Sequence, residues 1–428
     1  MHDKTASKLS DRREFLGTIA ATAGLIPIGT LAGTWGRREA GIQEDWVTNA
    51  RRQIPSTSNS AYFQTGGIGA SPQVVTDVVA ERLVYQNQGP ADPRFSSEMA
   101  VIEPDLRAYL SEVFNVGRNG VALTHSTSEG ISIAAWALDW SEGEEVVISN
   151  QEHPANVVPW YILRDRFGIV IREINLDTGT DLVSEIRNVL SPNTRMVSLS
   201  HVSRNNGRRL VTEHCAEVAT ILRDRDILFH LDGAQGPGCV PTDFEALGCD
   251  CYSTCGHKWL MGPKGTGAFF VKEDRLDQIQ LSWAGSHSHE SMDYEGAYSL
   301  LPSAARYEFG TRALAEFAGF HRAIEWMEGL GWERIYTRIQ DLVSHAVDRT
   351  RRSDILEVAS PEAERENSGV FVLRLPETMD ATKVYEHLSE DSHILTSPVR
   401  RERDLRLAIH FFNTVEEIDS ALEVIESL

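Results

Sequence analysis

Two stretches decide the reading of the fold: ILFHLDGAQ, from Ile227 to Gln235, and GHKWLMGPKGTG, from Gly256 to Gly267. In the first, Ile227, Leu228, Phe229 and Leu231 form an almost unbroken apolar run, the pattern of a parallel strand covered on both faces. It ends on a carboxylate, Asp232, at the carboxyl end of a strand, where open α/β sheets bind ligands. In the second, Lys258 stands just before a glycine-rich turn. A lone Asp or Lys is ordinarily a solvated surface charge. The apolar strand on one side and the turn on the other are what set these two apart.

Outward from this pair the chain alternates. Apolar runs at 121–124, 146–149, 169–174, 196–202, 227–232, 249–254 and 267–271 read as seven strands, with helical stretches such as 156–166, 182–190 and 213–225 between them. That alternation predicts a mostly parallel seven-stranded sheet with helices on both faces. Beyond Arg312 the pattern changes to two long helices, an apolar run at 370–375, a helix near 382–388, a second run at 405–409 and a closing helix. This is a smaller α+β unit. The expected division is a leader over 1–36, an N-terminal arm over 37–91, a large domain over 92–310 and a C-terminal domain over 311–428.

The residue types at the centre match one cofactor, pyridoxal 5'-phosphate. A lysine can form a Schiff base with its aldehyde when the amine is partly neutral, which burial and a nearby cation favour. A carboxylate against its ring nitrogen keeps that nitrogen protonated, so that electrons released at a substrate carbon flow into the ring. Lys258 and Asp232 fit those two tasks. Thr127 and Ser128 follow the 121–124 strand and open a helical run, so their amides and hydroxyls form an anion site at a helix N-terminus.

Six ordered motifs carry a family resemblance over about residues 61–414: LTHSTSEGI (123–131), EHPANVVPW (152–160), DGAQ (232–235), GHK (256–258), FGT (309–311) and RLAIHFFNT (406–414). Together they resemble the class V aminotransferase family, a fold-type I group that includes cysteine desulfurases, isopenicillin N epimerases and kynureninases. The resemblance implies a phosphate loop at Thr127 and Ser128, with His257 as a further phosphate ligand whose positive end discourages protonation of Lys258. His153 is implied as the imidazole lying on the cofactor ring and relaying a proton, and Gln235 as a hydrogen-bond partner of the phenolic oxygen. Thr311 is implied to reach the phosphate of a second subunit, which makes the working unit a homodimer. Arg406 is implied to grip the substrate α-carboxylate, a task that suits a planar guanidinium.

The implied function is a pyridoxal-phosphate enzyme acting on an amino acid or amine, of the class V aminotransferase type. The alternatives are an epimerase or carbon–sulfur lyase, then a cysteine desulfurase, then an inactive cofactor-binding scaffold. Three positions depart from the family pattern. Arg204 in HVSRNNG stands where many relatives have Asn and is open to binding a substrate carboxylate. Cys255 stands where desulfurases have a phosphate-binding Ser, and a thiol is a poor donor. The segment 393–405 holds no cysteine, where desulfurases carry their nucleophile.

Composition fits a large enzyme. A formal charge of -21 over 428 residues argues against nucleic acid or an anionic membrane as a general partner. The five cysteines include no C-x-x-C pair, and small buried residues are expected rather than a metal site. Gly66-Gly67-Ile68-Gly69 is a weak glycine signal, expected at the substrate entrance rather than on a nucleotide. At the N-terminus, Ser10 to Leu16 (SDRREFL) resembles a twin-arginine export signal, followed by an uncharged stretch to Gly36 of modest hydrophobicity. The expectation is export by the twin-arginine machinery to the periplasm, with cleavage after residues 31–33 or retention on an uncleaved leader.

Overall fold

The computed structural model describes residues 44–428; the expected leader and the first residues of the arm lie outside them. Seven strands form the main sheet: β1 (Val121–Thr124), β2 (Glu145–Ser149), β3 (Val170–Ile174), β4 (Thr194–Ser200), β5 (Leu228–Asp232), β6 (Cys251–Cys255) and β7 (Gly267–Val271). Their spatial order is β1-β7-β6-β5-β4-β2-β3. Only β7 runs against its neighbours, β1 and β6; the other pairings are parallel. The mostly parallel seven-stranded expectation holds, each strand within about two residues of its apolar run.

The period of two explains why these runs carry so little polarity. Along β2, Val147 points to one core while Val146 and Ile148 point to the other; in β7, Ala268 and Phe270 oppose Phe269 and Val271. One face is covered by helices Ile102–Val113, Leu182–Val189, Thr212–Arg223 and part of Leu314–Leu330. Helices Thr127–Ala135 and Val158–Phe167 cover the other. Where both faces are buried, as in β2 and β7, alternation with polar residues is absent. Burial of each large side chain here, such as Phe229 or Phe270, contributes about 1.5–3 kcal/mol.

A second core lies around a four-stranded antiparallel sheet containing β8 (Val370–Arg374) and β9 (Asp404–Ala408), packed by helices Trp332–Arg351, Ala381–Asp391 and Val415–Glu426. Ala50, Ile54 and Phe63 from the N-terminal arm join it, as do Trp326 and Met327. Helix Leu314–Leu330 therefore serves both cores, giving Phe317, Phe320 and Ile324 to the first. Leu405 and Leu407 of β9 face the second core, so Arg406 between them is turned to the opposite side. Val370, Val372 and Ala408 on that side pack against Trp259, beside Lys258. No helix among the described residues is long and apolar enough to cross a membrane.

Candidate active site

Asp232 is the last residue of β5 and Lys258 follows the adjacent β6, so both stand at the carboxyl edge of the sheet. The Asp232 carboxylate is buried and accepts one hydrogen bond, from the Ala234 amide at 2.9 Å. Burial raises its pKa, opposed by that amide and by the charge of Lys258. The turn after β6 is tightly closed: Met261 N donates to Lys258 O at 3.0 Å and Gly262 N to Gly256 O at 2.8 Å, with Met261 held at φ 55. A left-handed non-glycine residue of this kind persists only where its surroundings fix it. The Gly66–Gly69 segment lies directly on this turn. Gly69 N donates to His257 O at 2.6 Å, and a Cβ at Gly69 would sit 2.2 Å from Lys258 O, so no other residue fits.

One side of Lys258 is built for an anion. Helix Thr127–Ala135 starts at Ser126, whose hydroxyl accepts from Glu129 N at 3.3 Å. The Thr127 hydroxyl is buried with no full hydrogen-bond partner, its neighbour being the weakly interacting Cys255 thiol. Ser128 is exposed on the same first turn. His257 Nδ1 is likewise buried without a partner. Two orphaned polar atoms, one on the first turn of this helix and one beside Lys258, are costly unless a ligand satisfies them. Gly130 lets this helix press onto the sheet, since a Cβ there would lie 2.7 Å from Ser253 Oγ.

His153 caps a short 3-10 turn, its Nδ1 accepting from Ala155 N at 3.0 Å, which leaves Nε2 to carry the proton of the neutral ring. Burial, then the charges of Lys258, Arg204 and Arg406, pull its pKa down to about 4. Beneath it Glu152 is buried and receives four donors: Ser149 Oγ, Asn156 Nδ2 at 2.7 Å, Ser200 N at 3.0 Å and Ser200 Oγ at 2.7 Å. Burial nevertheless pushes its pKa up to about 7. From Asn156 the polar chain continues through Ser198 to His230 and Ser253, in steps of 2.7 to 2.8 Å beneath the crevice.

On the other side of Lys258 stands Arg406, 2 % exposed. Its Nη2 reaches Gln64 Oε1 at 3.5 Å, and its Nε is buried without a partner. Gln235 donates to Gly66 O at 2.7 Å and accepts from Trp259 Nε1 at 2.7 Å, which ties the glycine segment to the floor of the site. Thr311 is exposed.

The structure thus brings Thr127, His153, Asp232, Gln235, His257, Lys258 and Arg406 around one crevice. One expectation, the positive end of His257, changes. His257 is not a positive group, because burial and then the charges of Lys258 and Lys264 lower its pKa to about 4. It offers a neutral N–H instead. Gln235 has both ends of its amide engaged, leaving one N–H for a ligand. Glu152, Gln64 and Trp259 were not singled out from sequence; the Glu152-His153 pair within EHPANVVPW was the only signal for the first. A separate cavity of about 740 Å³, lined by Asn150, Asp177, Arg374, Arg401 and Asp404 among others, includes none of these residues.

The residues fit pyridoxal phosphate: a lysine for the aldehyde, a buried carboxylate for the ring nitrogen, and orphaned Thr127 and His257 atoms for the phosphate. Sheet and site together define a fold-type I pyridoxal-phosphate enzyme. The class-V aminotransferase family model matches residues 61–420, and the chain belongs to that family. A probable cysteine desulfurase of Methanothermobacter thermautotrophicus is 25% identical over 394 residues, covering 89% of this chain and 97% of that protein. The isopenicillin N epimerase of Amycolatopsis lactamdurans is 27% identical over 395 residues, covering 89% and 98%. Among solved structures, the complex of the cystine C-S lyase C-DES with its reaction product cysteine persulfide is 26% identical, with a TM-score of 0.82 over 88% of this chain and 100% of that one.

Proposed function

We propose that this pyridoxal-phosphate enzyme moves the α-proton of an amino acid, in amino-group transfer or a related epimerisation. The observation that carries the reading is the placement of Lys258 and Asp232 on adjacent strand ends, with a buried arginine nearby that has no acidic partner among the described residues. When bound, the cofactor supplies a sink for the electron pair left at the α-carbon. Lys258 Nζ takes the proton and returns it. Arg406 orients the substrate by its carboxylate, and the neutral His153 ring covers the cofactor. Asp232 holds the ring-nitrogen proton, while Thr127, Ser128 and His257 hold the phosphate. The Gly66–Gly69 segment closes over Lys258 and limits access of water. We take the working unit to be a homodimer, in which exposed Thr311 completes the partner's phosphate site.

A carbon–sulfur lyase is the second reading, favoured by the likeness to C-DES. A desulfurase is less well supported: all five cysteines are buried, so the chain offers no accessible thiol. The test is incubation of holoenzyme with a panel of amino acids in deuterated water, following α-deuterium incorporation and products by mass spectrometry. Keto acid with a matching amino-group acceptor supports transfer, inverted amino acid supports epimerisation, and sulfur release supports the lyase. No exchange with any amino acid defeats all three.

A further inference from the structure

Arg204 and Arg406 are unusual among the arginines of this acidic chain. Other shielded guanidinium groups meet carboxylates: Arg275 meets Asp250 at 3.1 Å, Arg306 meets Asp277 at 3.3 Å, Arg312 meets Glu103 at 2.6 Å and Arg208 meets Glu366 at 3.9 Å. Arg406 is more deeply buried than any of these, yet its contact is a long one to neutral Gln64, and Nε has none. Arg204 is half-buried in the turn after β4 and forms no hydrogen bond or ion pair among the described residues. Two buried like charges without counter-ions disfavour each other, and a carboxylate is available almost everywhere in a chain with 62 acids and 41 bases.

Their positions converge. Arg204 follows β4, the strand beside Asp232's β5, and Arg406 comes from β9 across the crevice. Val202, two residues before Arg204, packs with Val372 and Ala408 beside Arg406 in the sheet, and the charge of Arg204 bears on Arg406, while both arginines and Lys258 bear on His153. His257, by contrast, feels Lys258 and Lys264 but neither arginine. The crevice therefore has two separate poles, a phosphate pole at Thr127 and His257 and a double-arginine pole on the substrate side. A single carboxylate satisfies one guanidinium fork bidentately. The second fork then needs its own anion.

We infer that the substrate is a dianionic amino acid, carrying an acidic group beyond its α-carboxylate, with Arg406 taking one anion and Arg204 the other. The inference rests on the amino-acid chemistry proposed above and names its substrate class. Arg204 is then the residue that sets specificity, because a neutral substrate leaves its charge unanswered.

The experiment uses unreactive probes on the holoenzyme. Dissociation constants are measured calorimetrically for succinate, glutarate and adipate, with butyrate as the monoanionic control, at fixed ionic strength. At least one dicarboxylate is expected to bind about tenfold or more tightly than butyrate, the size of one charge-assisted pair. In Arg204→Met that ratio should fall towards one, and in Arg204→Lys it should be partly restored. Circular dichroism and borohydride fixation of the cofactor at Lys258 confirm that each variant is folded and loaded. A wild-type ratio near one for all three diacids overturns the inference, as does a preference that survives in Arg204→Met. If this happens while amino acids still exchange their α-proton, only the substrate class is wrong. If no amino acid exchanges, the reading beneath it fails and takes the inference with it.

Discussion

The indole nitrogen of Trp259 donates to Gln235 Oε1 at 2.7 Å, bracing the residue beside Lys258 against the loop that follows Asp232. Gln235 passes the restraint on to Gly66. Beyond the strand pairing, a buried pair thus helps to hold lysine and carboxylate relative to one another.

Removing that donor tests the brace. Trp259→Phe leaves the buried Gln235 oxygen without a partner, at a cost of about 1–3 kcal/mol. The holoprotein should unfold at lower urea concentration and lose cofactor faster on dilution. A double variant with Gln235→Leu should lose less than the two single effects added together, since both delete one interaction.

Lys258→Ala should abolish turnover and leave the cofactor held only noncovalently. In the unmodified chain, borohydride reduction followed by peptide mapping should place the cofactor on Lys258. Lys264 is exposed and Lys272 is paired with Glu245 at 3.9 Å, so a label on either would overturn the assignment.

Much of this was legible because both faces of the main sheet are covered. A buried parallel strand must be apolar throughout, and that makes 227–232 or 267–271 readable without knowing its neighbours. Helix Leu314–Leu330 was readable as a helix but not as a member of two cores, because which neighbour each turn meets is set by tertiary packing. The role of Glu152 is not legible for the same reason: two of its four donor contacts come from Ser200, 48 residues away, which only the fold brings near. The charge expected on His257 is opposed by burial, which the local sequence does not show.

The export reading falls on residues outside those described, and a cell experiment tests it. We expect Arg12→Lys with Arg13→Lys to hold the enzyme in the cytoplasm, because the paired arginines are the feature that the twin-arginine route reads. Fractionation with an activity or antibody assay checks this. Unchanged distribution of the double variant would remove the proposal.

Glu152 gives a prediction about stability and pH. Its ordinary value is 4.5 and burial raises it to about 7 in the folded chain, despite four hydrogen-bond donors that favour the charged form. Between those two values the folded state holds a proton that the unfolded state has released. Folding stability from this group is therefore full below about 4.5 and lost as pH rises through about 7. At about 1.4 kcal/mol per unit, the loss is at most about 3.5 kcal/mol. Glu152→Gln cannot titrate, so its stability should fall less than that of the wild type between pH 5 and pH 8. The variant should also start lower at pH 5, because its amide nitrogen meets donors from Asn156 and Ser200 where the acid had an oxygen. Urea denaturation at pH 5, 6, 7 and 8 measures both. Parallel curves for the two proteins would mean that Glu152 keeps one protonation state across this range, and that its four donors outweigh its burial.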